Sequence, residues 1–136
     1  MKKLLLLIIP LLGMLLYTQS GLIFFTMQSD GYSVYGEKFP TEEYDLSASE
    51  AYSLCFSSRE KGVSVRLQDG DYDSLINNLL AREKFSEKYD DAVLLYYSSP
   101  FLKNYVRLKG EKINLQIAVL ADGTVIAGTP VILGSY

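Results

Sequence analysis

The sequence predicts an α+β domain: two helices packed on one face of a mostly antiparallel sheet, preceded by an N-terminal apolar helix. Three observations carry this expectation. An apolar run opens the chain, two stretches in its middle repeat apolar residues at helical spacing, and residues 92–136 alternate as strands between turn formers. The boundaries that follow are 1–26 for an export signal or membrane anchor, 27–46 for a linker, and 47–136 for the α+β domain.

Lys2 and Lys3 precede the run Leu4–Tyr17, which is the charge-then-apolar order of an export segment. Thr18-Gln19-Ser20 offers small residues for cleavage. "GLIFF" follows at once and extends the nearly apolar span to Phe25, giving 22 residues from Leu4, where a spanning helix needs about 20. The segment is therefore either a cleaved signal that releases a secreted domain or an uncleaved anchor that contacts the membrane through residues 4–25. In both cases the lysines stay inside and the rest of the chain faces outward. That exported part carries 13 − 2 = 11 cations against 16 carboxylates, a net charge of −5. Binding nucleic acid requires clustered cations, so nucleic acid is not an expected partner. The single cysteine, Cys55, has no internal disulfide partner and reads as a small buried hydrophobe.

Residues 27–46 combine turn formers, Pro40 and mixed charge, and fit a linker with one short strand around Tyr32–Tyr35. "SASE" at Ser47–Glu50 has the form of a capping box, and the following residues Ala48, Ala51, Leu54 and Cys55 share a helical face that Gly62 would close. "VSVRLQ", Val63–Gln68, alternates as a strand with one wet face. Leu75, Ile76, Leu79, Leu80 and then Phe85 recur at helical spacing, which predicts a helix from about Ser74 to Phe85. "AVLLYYSS", Ala92–Ser99, is a strand stopped by Pro100. Asn104–Val119 contains a hairpin around Lys109-Gly110-Glu111-Lys112, with Ile113, Leu115, Ile117 and Val119 on one face of its second arm. "ADGT", Ala121–Thr124, predicts a two-residue hairpin with both Asp122 and Gly123 at positive φ, and Gly128 with Pro130 suggests a bulge or an edge.

The chemistry-bearing patterns are sparse. Asp69, Asp71 and Asp73 occupy ligand positions 1, 3 and 5 of a calcium loop, but Ser74 and Leu80 stand where that loop needs Gly and Glu. The three aspartates are better explained as a turn followed by a helix cap, and a calcium-stabilised structural module is the weaker alternative. Ser58 and Lys61 match the S-x-x-K spacing of penicillin-recognising enzymes without the companion motifs, so a small envelope serine hydrolase using Ser58/Lys61 is a second alternative. Histidine is absent, which removes Ser-His-Asp and Cys-His arrangements and the commonest general base. The adjacent pairs Glu42/Glu43 and Asp90/Asp91 read as solvated. No catalytic residue, cofactor or metal ligand is expected, and the chain is not expected to be an enzyme.

The compositional oddity is eleven tyrosines with no tryptophan. Tyr96, Tyr97, Phe101 and Tyr105 gather around "SSPFLKNY" and form the expected interaction surface, since aromatics with polar tips favour interfaces. "VLLYYSSPFL", "KINLQIAV" and "GTPVIL" before a terminal aromatic also resemble the C-terminal part of the exported YwmB-like proteins of spore-forming Gram-positive bacteria. The resemblance covers residues 92–136. It implies a TATA-box-binding-protein-like α+β fold and assigns no activity or catalytic residue. The function expected is an extracytoplasmic binding module, membrane-anchored or secreted, with a protein or other component of the cell envelope as partner.

Overall fold

The computed structural model describes residues 2–18, 29–36, 43–47, 49–50, 60–67 and 70–132. Eleven elements have described bounds, in this order. Helix α1 (Lys2–Thr18) leads to strands β1 (Ser29–Gly36), β2 (Glu43–Leu46) and β3 (Glu60–Leu67). A short helix α2 (Asp73–Asn78) precedes β4 (Arg82–Lys88) and β5 (Ala92–Ser98). The chain ends with β6 (Val106–Leu108), β7 (Glu111–Ile113), β8 (Leu115–Leu120) and β9 (Val125–Thr129). Seven strands form one antiparallel sheet in the order β2-β1-β3-β9-β8-β5-β4, and β6-β7 form a separate two-stranded ribbon.

This architecture is mostly β and corrects the expectation of two helices on a sheet. The predicted helix Ser74–Phe85 shrinks to the six residues of α2. Its apolar period lasts only through Leu75, Ile76 and Leu79, and then a Schellman pattern closes it: Leu80 N–H donates to the Asn77 carbonyl (3.1 Å) and Ala81 N–H to the Ile76 carbonyl (3.0 Å). Arg82 to Lys88 then runs as a charged edge strand, paired on one side to β5. The capping box is present, with Ser47 N–H donating to Glu50 Oε2 (2.9 Å) and Glu50 N–H to Ser47 Oγ (3.4 Å). Ser49 and Glu50 are helical. The face expected from Ala48, Ala51, Leu54 and Cys55 lies outside the described residues. Gly62 is no helix stop: it lies within β3, opposite Tyr35 of β1. The stretch read as a linker with one short strand around Tyr32–Tyr35 holds that strand within the longer β1 and supplies β2 as well, both built into the main sheet.

Among the described residues no helix is long and apolar enough to cross a membrane. The 17 residues of α1 span about 26 Å at 1.5 Å per residue, short of a hydrocarbon core of about 30 Å. A spanning anchor from Leu4 to Phe25 is therefore not supported. Residues 19–25 of that run lie outside the described residues.

Strand alternation gives the sheet two apolar faces. On the first, Tyr32, Val65, Ala127, Ile117 and Leu95 align in a cross-strand row through five strands. Leu75 and Leu79 of α2 and Leu102 pack into this cluster. On the second face Leu94, Tyr96, Ile113 and Ala118 form a smaller core beneath β6-β7 and the segment Val131-Ile132. Ile113 was expected to share a face with Leu115 and Ile117. The strand breaks at Asn114, which turns Ile113 to the opposite side.

Both glycine-marked hairpins exist. Lys109 (φ 51°) and Gly110 (φ 81°) make the two-residue turn of β6-β7, with both central residues left-handed. The β8-β9 loop differs from the expected two-residue turn. Gly123 N–H donates to the Leu120 carbonyl (3.0 Å) and Leu120 N–H to the Thr124 carbonyl (2.9 Å), so the loop has three residues. Only Gly123 (φ 88°) is left-handed there, while Asp122 accepts from Thr124 N–H (2.9 Å). Gly128 marks neither a bulge nor an edge, since β9 lies between β3 and β8 in regular register. A Cβ at Gly128 would lie 2.8 Å from Ile132 Cγ1 and 2.9 Å from the Ile132 backbone. Glycine is needed because the chain folds back over it, fixed by Ile132 N–H donating to Gln116 Oε1 (2.8 Å).

One buried hydroxyl stands out. Thr129 is 2% exposed, and its Oγ1 has no hydrogen-bond partner among the described residues. Thr129→Val replaces an unpaired polar atom with a methyl of similar shape. It is expected to raise unfolding free energy by about 0.5–2 kcal/mol in denaturant titration. A loss of stability would show that the hydroxyl has a partner.

Candidate functional site

The segment after β5 is fixed by one buried side chain. Asn114 is fully buried and satisfies its amide on both ends. Its Oδ1 accepts from Ser99 N–H (2.7 Å), and its Nδ2 donates to the carbonyls of Ser99 (2.7 Å) and Leu102 (2.9 Å). Ser99 Oγ in turn donates to the Leu79 carbonyl at the end of α2 (2.7 Å) and accepts from Phe101 N–H (3.1 Å). This network ties the start of "SSPFLKNY" to α2 and to the β7-β8 junction.

Beside it lies an open groove of about 670 Å³. Arg82 and Lys84 of β4 and Lys112 of β7 line it, with Asn77 and Ser98 between them. Ile76, Leu80 and Pro100 supply apolar wall, and no carboxylate is among the described lining residues. The elements explain the convergence. Arg82 sits opposite Ser98 in the β4-β5 register, and the ribbon brings Lys112 to the same end of the sheet. Lys84 forms an ion pair with Glu111 (3.4 Å), whereas Arg82 and Lys112 have no carboxylate partner among the described residues. Lys112 Nζ lies 4.7 Å from the Tyr105 ring centroid.

Leu80 has an unusual place in this wall. It holds the left-handed helix-terminal position (φ 47°) usually given to glycine, and its side chain is 62% exposed. That backbone conformation costs a non-glycine residue about 1–2 kcal/mol.

A second polar cluster fastens the ribbon to β4. Glu87 accepts from Lys109 Nζ (2.7 Å), Tyr96 Oη (2.9 Å) and Tyr89 Oη (3.2 Å). Phe85 and Tyr96 stack with centroids 4.4 Å apart, and Lys109 Nζ lies over the Phe85 ring. Hydrogen bonds from Lys109 and then Tyr96 hold the Glu87 carboxyl below the usual carboxylate range. Its folded pKa lies below the unfolded one, so its contribution to stability is complete above the unfolded pKa of about 4.3 and is lost as pH falls through the folded value. The melting temperature should therefore drop as pH falls below about 4.3, and by less in Glu87→Gln. Equal drops in both proteins would remove Glu87 from the acid response.

The residues expected at the interaction surface divide. Tyr96 and Tyr97 are 6% and 5% exposed and face opposite sides of β5, one in each core. Burial, followed by the nearby Glu83 charge, pushes the Tyr97 hydroxyl up to about 12. Phe101 and Tyr105, in contrast, are 52% and 51% exposed. Tyr105 lies against groove residue Lys112, and Phe101 is next in the chain to groove residue Pro100. Asp71 precedes the N-cap Tyr72 and accepts from Ser74 Oγ (2.9 Å) and Ser74 N–H (3.4 Å) in the first turn, bonds that lower its carboxyl pKa. Asp73 sits in the first turn of α2, and Asp69 lies outside the described residues. Among the described residues no three acidic, His or Cys side chains cluster to hold a metal ion. Ser58 and Glu42 lie outside the described residues. Lys61 lies in β3, Glu43 in β2, and Asp90 and Asp91 are exposed in the β4-β5 turn.

The three cations escaped the sequence reading because 30 residues separate Arg82 from Lys112. Reading "REKFSEK" as a strand would not by itself have paired Arg82 with Lys84, because the register shifts between Glu83 and Phe85 and interrupts the alternation at Lys84. Searches of family models, curated proteins and solved structures find no match to this chain.

Proposed function

We propose that the protein is an extracytoplasmic binding module whose working surface is the groove between α2, the start of β4 and β7, and that it recognises an anionic component of the cell envelope. The observation that carries this reading is charge: Arg82, Lys84 and Lys112 converge, with no lining carboxylate among the described residues, in a chain of net charge −3. A cleft of this size, in which six polar or charged residues stand beside four apolar ones, offers a ligand both cations and hydrogen-bonding groups. The Asn114 network supports the role by fixing one wall. Lys2 and Lys3 at the start of α1, ahead of its apolar run, support export. Kinship with YwmB-like exported proteins is part of this reading and rests on residues 92–136.

Two experiments test it. Titrating the full chain with inorganic pyrophosphate should move amide resonances of Asn77, Ser98 and Lys112, and the movement should vanish in Arg82→Gln/Lys84→Gln/Lys112→Gln. No movement at millimolar anion, or equal movement in the variant, overturns the groove. Protease should cleave a C-terminal epitope tag on intact cells, and protection of the tag would place the domain inside.

A further inference from the structure

Outside α1, the exposed large hydrophobics among the described residues are Leu80, Tyr89, Phe101 and Tyr105. Three of these four line the groove or adjoin one of its lining residues. Cations at the centre with an aliphatic and two aromatic side chains at the margin form the pattern by which proteins engage an anionic bilayer surface: charge meets the headgroups while ring and aliphatic groups enter the interface. A soluble acidic peptide would account for the cations but leaves the exposed Leu80 and Phe101 without a role. The same chain carries, in α1, a run of side chains from Leu4 to Leu12 that includes Leu6, Leu7, Ile8, Ile9 and Leu11, each 46–73% exposed. These residues favour an apolar environment that water does not supply.

We infer that the groove receives the headgroup of an anionic phospholipid and seats the sheet on a bilayer surface, with Leu80, Phe101 and Tyr105 in the interfacial layer. Arg82 and Lys112, which lack carboxylate partners among the described residues, are the primary contacts. Lys84 joins them by exchanging its 3.4 Å pairing with Glu111. Contact is salt-sensitive because the cations are exposed. The inference rests on the groove being a binding site and adds the class of ligand.

The test uses the full chain and sedimenting vesicles of phosphatidylcholine, alone or with phosphatidylglycerol at about one lipid in three, in the range that gives a surface potential of tens of millivolts. Apolar α1 contributes to binding on both vesicles, and Lys2 and Lys3 add to the anionic preference, so the comparison is between variants of equal charge. Arg82→Gln/Lys84→Gln/Lys112→Gln should lose about tenfold or more in affinity for anionic vesicles and little for neutral ones, with melting temperature unchanged. Arg66→Gln/Lys88→Gln/Arg107→Gln, with the same net charge, should lose less than about threefold. Equal losses in the two variants would mean diffuse charge attraction and overturn the site. Because the chain has no tryptophan, Phe101→Trp supplies a single reporter. Its emission should shift to the blue and resist acrylamide quenching with anionic vesicles, but not with inorganic pyrophosphate. Pyrophosphate binding at the groove without any vesicle response would leave the groove as an anion site and overturn the lipid assignment. Absence of both responses would overturn the two together.

Discussion

Asn114→Ala lowers unfolding free energy by about 3–5 kcal/mol in the expected outcome, because one truncation strands three buried backbone groups. The amide of Asn114 holds the N–H and carbonyl of Ser99 and the carbonyl of Leu102. Ser99 and Leu102 are each only 3% exposed, so water cannot replace those bonds without opening the loop. Asn114→Asp gives a second, sharper comparison. Its carboxylate still accepts from Ser99 N–H but faces two carbonyl oxygens where it needs donors. It should therefore destabilise at neutral pH by at least as much as alanine and recover partly in mild acid, when protonation supplies one donor. Denaturant unfolding followed by circular dichroism measures both. A loss below about 1 kcal/mol for the alanine variant would show that the network is dispensable.

Leu79→Ala is expected to cost about 2–5 kcal/mol, the range for a fully buried leucine whose cavity collapses only in part. Leu79 is 1% exposed and packs with Leu75 and the first-face cluster, and α2 is only six residues long. A helix that short has little stability of its own, so its docking residues hold it in place. The variant should also loosen the groove, because Ile76, Asn77 and Leu80 are carried by α2 and its terminus. Amide exchange should quicken at Leu80 and Ala81, whose N–H groups donate to the carbonyls of Asn77 and Ile76 across the helix end. A loss under about 0.5 kcal/mol would mean that Leu79 is not a core residue.

The contrast between what the sequence reveals and what it conceals follows from which forces leave a local imprint. Gly110 and Gly123 announce their hairpins because left-handed backbone is a local demand that glycine meets without steric cost. Val63–Leu67 and Ala92–Ser98 show themselves by apolar side chains on strand spacing. Strand β1 shows only in part, as the short strand expected around Tyr32–Tyr35, because among its described residues the core side chains are Tyr32 and Val34, set beside Gly31 and Ser33, while β2 lies in the stretch read as linker. Strand β4 is hidden by the charges that protect an open edge, so Phe85 was assigned to a helix. The break at Asn114 is invisible locally, since its cause is a set of partners 12 and 15 residues away. At the groove, Phe101 and Tyr105 were legible as exposed aromatics. Tyr96 and Tyr97 were not separable from them, because tyrosine serves strand cores and surfaces alike.

The position of β9 between β3 and β8 also sets how the chain must assemble. The β4-β5, β6-β7 and β8-β9 pairings each join strands adjacent in sequence. The β3-β9 pairing instead couples Leu67 to Val125 across 125 − 67 = 58 positions. Closing so long a loop sacrifices chain entropy before any contact is gained, which predicts that the C-terminal strands form first and the β1-β2-β3 unit docks late. Val65→Ala, in the late-docking strand, should speed unfolding while leaving the refolding rate within about twofold, whereas Leu94→Ala in β5 should slow refolding. Stopped-flow chevrons for the two variants measure this order, and a refolding limb slowed equally by both would mean that the long-range pairing is already present at the barrier.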